Sequence, residues 1–187
     1  MRRASTLTSR LTCPTTDSPT GQYMIDDALP PLVVMGVSAS GKSSVGARVG
    51  ALLGIPFIDG DDLHPASNVA KMAAGIPLDD DDRWPWLDAV AARLAEGPAV
   101  VACSALKRAY RDRLRASVPD IVFVHLTGDP AVLARRMGAR YDHFMPESLL
   151  QSQLDTLEDL GPDEKGFALD FAAPVDELAE RVVERLQ

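Results

Sequence analysis

The sequence predicts an α/β fold in which helices flank a parallel sheet of five strands. Short apolar runs alternate with longer segments of helical periodicity, which is the pattern that parallel strands and crossover helices leave in a sequence. A glycine-rich segment, Gly36–Ser43, separates the first apolar run from the first helical segment. The 187 residues, 46% of them hydrophobic, provide one apolar core and are too few for two full domains.

The predicted strands are short and mostly apolar, and helical patterns separate them. We predict strands at 32–35, 56–58, 99–103, 121–126 and 167–171. We predict helices at 42–53, 66–73, 83–95, 107–116, 130–139, 146–157 and 175–186. Because open α/β sheets bind ligands at the carboxyl ends of their strands, the residues that follow each strand are the candidates for function.

The first 28 residues differ from the rest of the chain. They are rich in Ser, Thr and Pro and lack periodicity, so we predict a disordered N-terminal extension over 1–28 and a single folded domain over 29–187. The formal net charge of −8 argues against nucleic acid and membrane surfaces as partners. The two cysteines, Cys13 and Cys103, favour a reducing, cytoplasmic location. The sequence does not decide between a monomer and a homodimer.

The segment Gly36–Ser43 matches the GxxxxGK(S/T) pattern of a phosphate-binding P-loop, in the required position between a strand and a helix. Its glycines permit a tight turn, and successive backbone amides supply donors to phosphate. We expect Lys42 to contact the β- and γ-phosphates of ATP and Ser43 to offer a hydroxyl to Mg²⁺. A glycine turn alone would not require lysine and serine at these offsets. The predicted nucleotide-binding residues are Gly36, Val37, Ser38, Ala39, Ser40, Gly41, Lys42, Ser43 and Ser44.

Acidic residues follow the second predicted strand and indicate how an acceptor hydroxyl is activated. Asp59 and Asp61 are two positions apart, so both face the same cleft if the strand continues that far. We predict that Asp61 is the base that orients and deprotonates the acceptor, and that Asp59 belongs to the Mg²⁺ site. The alternative for this acidic segment is a helix N-cap, a role that fits Asp62 better than a catalytic one.

Three sequence blocks, in this order, resemble the small gluconokinase family of the thermoresistant gluconokinase type, which is related to shikimate kinase. They are DGDDLHP at 59–65, LDDDDRWPWL at 78–87 and CSALKR at 103–108. Further matches follow near 143–158, and the resemblance extends from about residue 32 to the C-terminus. It implies a P-loop NTPase fold like that of nucleoside monophosphate kinases, with a helical lid. It also implies ATP-dependent phosphorylation of D-gluconate to 6-phospho-D-gluconate, a step of carbohydrate acid catabolism.

Several residues in and near these blocks are candidates for binding the acceptor. Arg83 suits a substrate carboxylate through paired hydrogen bonds, and the alternative for Arg83 is an ion pair with the adjacent acids at 79–82. These acids equally suit the cap of the helix that follows. No Walker B acid follows the third strand, which leaves Lys107 to contact substrate or phosphate, joined by Arg111 on the same helical face. The predicted substrate-binding residues are Asp61, His64, Arg83, Lys107, Arg111 and His143, with structural roles as the alternative for both histidines.

Arg136 and Arg140 are also four residues apart and follow the fourth predicted strand. We expect them to close over the polyphosphate as part of the lid, where arginines stabilise transferred charge and exclude water. Solvated surface arginines are the alternative. The predicted catalytic set is Asp61, Lys42, Arg136 and Arg140. Cys103 is interpreted as a small buried residue, since phosphoryl transfer of this kind needs no covalent intermediate.

Two alternatives to a gluconokinase stay open on the sequence. A kinase of another small hydroxy acid, similar to shikimate kinase, shares the P-loop and the paired aspartates but fits the blocks at 78–87 and 103–108 less well. A nucleotide-binding regulatory switch that hydrolyses GTP has less support, because the chain has no NKxD guanine motif and no DxxG directly after the third strand.

Overall fold

The computed structural model describes residues 29–138 and 147–187. The predicted extension over 1–28 and two predicted site residues, Arg140 and His143, lie outside the described residues. In chain order the elements are β1 (Leu32–Met35), α1 (Lys42–Leu53), β2 (Phe57–Asp59), a 3₁₀ turn (Gly60–Leu63), α2 (Ala66–Ala73), α3 (Asp80–Ala95), β3 (Val100–Ala102), α4 (Arg108–Ser117), β4 (Val122–Thr127), α5 (Pro130–Gly138), α6 (Glu147–Thr156), β5 (Gly166–Asp170) and α7 (Val175–Leu186).

The five strands form one sheet in the order β2-β3-β1-β4-β5, and every neighbouring pair is parallel. Strand β1 lies at the centre, where Val33 is paired with Val101 of β3 and with Phe123 of β4. The predicted α/β class with a five-stranded parallel sheet is confirmed. Because β1 is central, the segment that follows it lies in the middle of the sheet edge where such folds bind ligands.

Helices pack on both faces of the sheet, and this makes β1 fully buried. On one face, Val34 belongs to an apolar cluster with Val45 of α1 and Val182 of α7. On the other face, Val33 belongs to a cluster with Leu87 of α3 and with residues of α4. The two cores hold the sheet edge in place. None of the helices within the described ranges is long and apolar enough to cross a membrane.

Helix α3 begins three residues earlier than the sequence predicts. Its N-cap is Asp79, whose Oδ1 accepts a hydrogen bond from the Asp82 amide at 2.9 Å, while Asp82 Oδ2 accepts one from the Asp79 amide at 3.1 Å. This reciprocal capping box stabilises the helix start and confirms the capping interpretation of the acidic run. Pro85, which a start near Arg83 would place in the first turn, lies deeper in the helix, where it removes one backbone hydrogen bond.

Candidate active site

The segment between β1 and α1 forms a phosphate cradle whose backbone requires small residues. Gly36 has a φ of 139°, and a Cβ on it would lie 2.6 Å from the carbonyl oxygen of Leu126. Ala39 and Gly41 also have positive φ angles, 62° and 97°. Gly41 is the N-cap of α1 and offers no side chain to the first amides of that helix. These amides are therefore available to an anion, which the helix N-terminus also attracts.

Two donors of the cradle are engaged within the chain. Lys42 Nζ donates to the carbonyl oxygen of Val37 at 3.1 Å, so the ammonium lies against the loop. The Ser38 amide donates to Oε1 of Gln153 at 2.7 Å. Gln153 belongs to α6 and is 115 positions away in the sequence, so this contact joins the cradle to a distant helix.

The acidic residues after β2 form a 3₁₀ turn over Gly60–Leu63. Asp59 ends β2 and caps this turn, because its Oδ1 accepts a hydrogen bond from the Asp61 amide at 3.1 Å. The prediction that Asp62 acts as a helix cap is wrong. Asp62 lies inside the turn, and α2 begins after Pro65 without a side-chain cap.

Gly60 allows the turn to approach the neighbouring strand β3. A Cβ on Gly60 would lie 2.4 Å from the carbonyl oxygen of Ala102, so a larger residue would displace the turn. On the other side, the buried indole of Trp86 donates from Nε1 to the Gly60 carbonyl oxygen at 2.6 Å. These contacts hold the turn, and with it the exposed Asp61, at the carboxyl end of the sheet.

A cavity joins the phosphate cradle to the acidic turn, and we call it the acceptor cavity. Its polar lining includes Ser38 and Lys42 of the cradle together with Asp61, His64 and Arg83. The structure thus brings these five predicted site residues into one space. A carboxylate and two cations beside phosphate donors form the set that phosphoryl transfer to a hydroxyl requires. The remaining lining residues are Met72, Ile76, Pro77, Leu78, Trp86, Ser104, Ser152 and Gln153.

The surroundings of His64 are compatible with both a structural and a ligand-binding role. Its ring stacks on Trp86 with centroids 4.2 Å apart and an interplanar angle of 13°. Nδ1 lies 3.3 Å from Nδ2 of the buried Asn68, which gives one ring nitrogen a polar neighbour. Burial lowers the pKa of His64, against a smaller opposite effect of the nearby Asp61 carboxylate. The imidazole is therefore neutral at neutral pH and able to form a hydrogen bond in the cavity that it lines.

Four polar residues beside the acceptor cavity form a connected set, which we call the acceptor cluster: Asp80, Arg83, Lys107 and Tyr110. Lys107 Nζ donates to Asp80 Oδ1 at 2.7 Å, and the Tyr110 hydroxyl also donates to Asp80. The hydrogen bonds from Lys107 and then from Tyr110 lower the pKa of Asp80. Arg83 Nη1 donates to the Tyr110 hydroxyl oxygen at 3.1 Å. Arg83 therefore contacts the Tyr110 phenol instead of forming the ion pair with the adjacent acids that was its predicted alternative role.

Arg83 and Lys107 border adjoining spaces. A second cavity is lined by both cations, and it shares Arg83 and Leu78 with the acceptor cavity. Lys107 therefore lies near the predicted acceptor site. Its ammonium is engaged by Asp80 in this structure.

Arg111 lies away from both cavities, and the prediction that it binds substrate is wrong. Its side chain is 0% exposed, and its Nε and Nη2 donate to the two carboxylate oxygens of the equally buried Glu164 at 2.8 and 2.9 Å. The prediction failed because α4 begins at Arg108, so Lys107 precedes the helix and shares no helical face with Arg111. The guanidinium also donates to the carbonyl oxygens of Ala105, Leu106, Glu158 and Asp159.

Arg136 borders a third cavity, which lies against the cradle and the segment after β5. Its Nη2 donates to the carbonyl oxygen of Phe171 at 2.6 Å, and the guanidinium is 5.4 Å from the centroid of that ring. Of the described residues that line this cavity, none also lines the acceptor cavity. The structure therefore places Arg136 beside a different part of the cradle from the one that Asp61 faces. The lining consists of Ala39, Ser40, Gly41, Ser44, Val45, Arg136, Phe171, Ala173, Val175 and Leu178.

Cys103 follows β3, at the position where many P-loop enzymes carry the Walker B acid. Its side chain is 1% exposed, and burial raises the pKa of the thiol to about 12. A buried thiol of this pKa is not a nucleophile at neutral pH. The interpretation of Cys103 as a packing residue is confirmed.

Three residues of the site were not predicted to belong to it. Tyr110 and Asp80 complete the acceptor cluster, and Gln153 occupies an amide of the phosphate cradle. Their partners are 30 and 115 positions away in the sequence, so spacing within a motif could not reveal them. Their location inside or beside family-like blocks was the available signal.

Known proteins with related sequences are kinases of small acids. The shikimate kinase family model matches residues 38–159. The thermosensitive gluconokinase of Escherichia coli (strain K12) is 46% identical over 142 residues, which cover 71% of this chain and 74% of that protein. The thermoresistant gluconokinase of the same organism is 42% identical over 158 residues, with coverage of 81% and 90%.

Solved structures agree with the sequence comparisons. A crystal structure of a gluconokinase from Sinorhizobium meliloti 1021 is 55% identical, superposes with a TM-score of 0.79, and covers 84% of this chain and 91% of its own. Shikimate kinase from Aquifex aeolicus is 16% identical with a TM-score of 0.54, covering 83% of this chain and 95% of its own. At this identity the second likeness concerns the fold alone.

Proposed function

The chain belongs to the gluconokinase family, and on this premise we propose that it transfers the γ-phosphoryl group of ATP to D-gluconate, forming 6-phospho-D-gluconate. The observation that carries the proposal is the acceptor cavity, in which Lys42 and Ser38 of the phosphate cradle border the same space as Asp61 and Arg83. A donor phosphate and an acceptor hydroxyl held there are adjacent. Such positioning supplies much of the rate enhancement in phosphoryl transfer.

In the proposed reaction, the oxygen of the gluconate 6-hydroxyl bonds to the γ-phosphorus, and Asp61 accepts the proton of this hydroxyl. The bond from that phosphorus to the β–γ bridging oxygen breaks, and ADP leaves with the negative charge. Lys42 stays close to the β- and γ-phosphates and offsets this charge. Asp61 suits the role of base because it is an exposed residue of a fixed turn and lines the cavity.

Arg83 is proposed to bind the carboxylate of gluconate. A guanidinium presents two parallel donors to a carboxylate, and Arg83 already lines the acceptor cavity while Tyr110 holds its Nη1 side. His64, neutral because of its burial, is proposed to contact a hydroxyl of the same substrate. Lys107 lines the adjoining cavity together with Arg83. Its ammonium can also bind the substrate if its hydrogen bond to Asp80 breaks.

The donor set fits a magnesium ion that is held mostly by ATP. Within the described ranges there is no group of three or more His, Cys, Asp or Glu side chains that could hold a metal. Mg²⁺ typically binds through one or two protein oxygens, waters and substrate phosphates, so no protein cage is needed. We propose that the exposed Ser43 hydroxyl and the Asp59 carboxylate supply those oxygens. Bound there, the ion would neutralise charge on the phosphates.

Arg136 is proposed to serve the nucleoside side of ATP, since it lines the third cavity with residues from the cradle and from the segment after β5. Its predicted closure over the transferred phosphate stays a prediction, as do the roles of Arg140 and His143. A homodimer, a cytoplasmic location and the division at residues 28 and 29 also stay predictions from the sequence.

An assay of ADP release with a panel of acids tests the acceptor. We expect ATP-dependent turnover with D-gluconate and far slower turnover with shikimate and with other sugar acids. The phosphorylated position is read by carbon-13 NMR of the product. Strong turnover of shikimate or another acid, with none on gluconate, would overturn the assignment.

Replacement of the proposed base tests the chemistry. Asp61→Asn keeps the shape of the side chain but removes its ability to accept a proton, so kcat should fall about 10²- to 10⁴-fold. Binding of ATP should change little, because Asp61 contacts the acceptor and not the nucleotide. The control is Asp62→Asn, which removes an exposed carboxylate inside the same turn. Equal losses in the two variants would contradict the assignment of Asp61.

A further inference from the structure

Gln153 occupies a donor of the phosphate cradle that a phosphate oxygen would be expected to use. Its side chain accepts a hydrogen bond from the Ser38 amide at 2.7 Å. A backbone amide can only donate, so the atom that faces it is the carboxamide oxygen. An uncharged oxygen of the protein thus lies where the loop offers a hydrogen bond to an anion.

The Ser38 amide lies at the acceptor end of the cradle. Ser38 and Lys42 line the acceptor cavity together with Asp61, whereas Ala39, Ser40, Gly41 and Ser44 line the third cavity. In a transfer reaction the terminal phosphate is the one that faces the acceptor hydroxyl. The oxygen of Gln153 therefore lies in the region of the γ-phosphate and not in that of the α-phosphate.

The backbone of α6 is fixed next to this contact. The Leu157 amide, which follows α6, donates to the Gln153 carbonyl oxygen at 3.0 Å, and the Glu158 amide donates to the carbonyl oxygen of Leu106 at 2.8 Å. The Glu158 carboxylate accepts a hydrogen bond from the Arg108 amide. These bonds tie the end of α6 to the segment between β3 and α4. With the backbone held there, separation of Gln153 from Ser38 requires rotation of the Gln153 side chain.

We propose that Gln153 is a positioning residue. Without ATP its carboxamide oxygen occupies the hydrogen-bonding position of the γ-phosphate at the Ser38 amide, and when ATP binds the side chain turns into the acceptor cavity. The inference rests on the proposed function in that ATP is the donor. Gln153 and its neighbour Ser152 already line that cavity, so the released carboxamide meets the hydroxyls of the acceptor. ATP must displace this hydrogen bond, and its binding prepares the acceptor site. The two substrates are thereby coupled.

Nucleotide affinities separate this role from a structural one. We would measure binding of a non-hydrolysable ATP analogue and of ADP by calorimetry. Gln153→Ala removes the competing oxygen and should tighten binding of the ATP analogue about 3- to 10-fold, the value of one neutral hydrogen bond, while ADP affinity changes less than about twofold. Gln153→Glu places a charged oxygen on the amide and should weaken the ATP analogue about tenfold or more, again with a smaller effect on ADP.

The matched control is Gln151→Ala, which lies on the same helix with an exposed side chain that bonds to Asp155. It should leave both nucleotide affinities unchanged. A Gln153→Ala protein that binds the ATP analogue and ADP with equal changes, or binds the ATP analogue more weakly, would overturn the proposal. Because this part of the experiment contains no gluconate, its result stands whichever acid the enzyme phosphorylates.

Coupling is tested by titrating gluconate with and without the ATP analogue. The unmodified protein should bind gluconate more tightly when the analogue is present, and Gln153→Ala should lose most of this difference. Coupling that survives in Gln153→Ala would refute the second half of the proposal. If the unmodified protein binds gluconate in neither condition, the proposed acceptor is wrong, and the nucleotide measurements still decide the role of Gln153.

Discussion

The acceptor cluster and the buried pair of Arg111 and Glu164 meet at the start of α4, where Tyr110 and Arg111 are consecutive, yet they differ in how completely their charges are satisfied. The side chains of Arg111 and Glu164 are 0% exposed, and the guanidinium also donates to main-chain carbonyl oxygens. The side chains of Lys107 and Asp80 are 33% and 47% exposed and border a cavity. Both regions oppose a cation and a carboxylate, so residue type does not distinguish them.

This difference separates structural charges from functional ones. A buried pair survives only when every donor has a partner, because an unpaired charge in the interior is costly. Arg111 therefore has no donor to offer a ligand. The acceptor cluster keeps cationic groups at the edge of open spaces, where a substrate carboxylate can reach Arg83 and compete with Asp80 for Lys107.

The largest expected effect comes from breaking the buried pair. Arg111→Met leaves the Glu164 carboxylate buried without its main partner and should destabilise the fold by about 3–5 kcal/mol. For a chain of this length that corresponds to a fall in Tm of roughly 6–20 °C, measured by calorimetry or circular dichroism. The KM for gluconate of the protein that remains folded should be unchanged.

The control for this experiment is Arg113→Met on the same helix. Arg113 pairs with Asp88, but both side chains are about half exposed, so its loss should leave Tm nearly unchanged. If Arg111→Met raised KM without lowering Tm, the assignment of Arg111 to the structural region would be refuted.

A smaller effect, on catalysis, is expected from Arg83→Lys. Lysine keeps the charge but loses the paired donors that fit a carboxylate, so kcat/KM for gluconate should fall about 10- to 100-fold, which corresponds to roughly 1.5–3 kcal/mol. Tm and the KM for ATP should change little. Arg93→Lys, an exposed arginine in the same helix that pairs with Glu96, is the control. A loss confined to Tm would show that Arg83 belongs with the structural charges.

The pH dependence of stability should report the buried pair. Burial by itself would raise the pKa of Glu164, but hydrogen bonds from Arg111 and from the Gly161 amide outweigh it, so the pKa lies below its ordinary value of 4.5. The folded state therefore binds the proton more weakly than the unfolded state. This contribution to stability is complete above pH 4.5 and is lost as the pH falls below it.

Urea unfolding between pH 6 and pH 3 measures this loss, and comparison with Glu164→Gln isolates it. The free energy of unfolding of the variant should be lower at pH 6 and should fall less steeply toward pH 3. Parallel pH profiles in the two proteins would mean that Glu164 is not a source of the acid sensitivity.

The smallest effect on stability is expected for Lys107→Met. Its ion pair with Asp80 is partly exposed, and such pairs contribute about 0–1 kcal/mol. The KM for gluconate should nevertheless rise severalfold if Lys107 contributes to gluconate binding. A fall in Tm as large as that of Arg111→Met would remove the contrast between the two regions.

Much of the local structure could be predicted from the sequence, because neighbouring residues determine it. Strand β1 and helices α1, α2 and α7 have the predicted bounds residue for residue. The P-loop was recognisable from its glycines and from Lys42 at fixed offsets. The placement of Asp61 followed from its position directly after a strand of a parallel sheet.

The residues at which helices and turns begin were less predictable than the helices themselves, because a few local contacts decide them. The spacing of Lys107 and Arg111 suggested one helical face, but Lys107 has an extended backbone, with φ −91° and ψ 149°, and α4 begins after it. Asp59, and not Asp62, is the cap because a 3₁₀ turn begins directly at the end of β2 and Asp62 lies inside that turn.

By itself, the sequence determined the α/β class, the phosphate cradle and the acidic turn, since each depends on short-range geometry and on the alternation of strands with helices. Only the tertiary structure decided which charges are buried and which border a cavity. Arg111 meets Glu164 across 53 positions, and Ser38 meets Gln153 across 115. Such contacts depend on the order of strands in the sheet and on how the helices pack against it, and no local pattern encodes them.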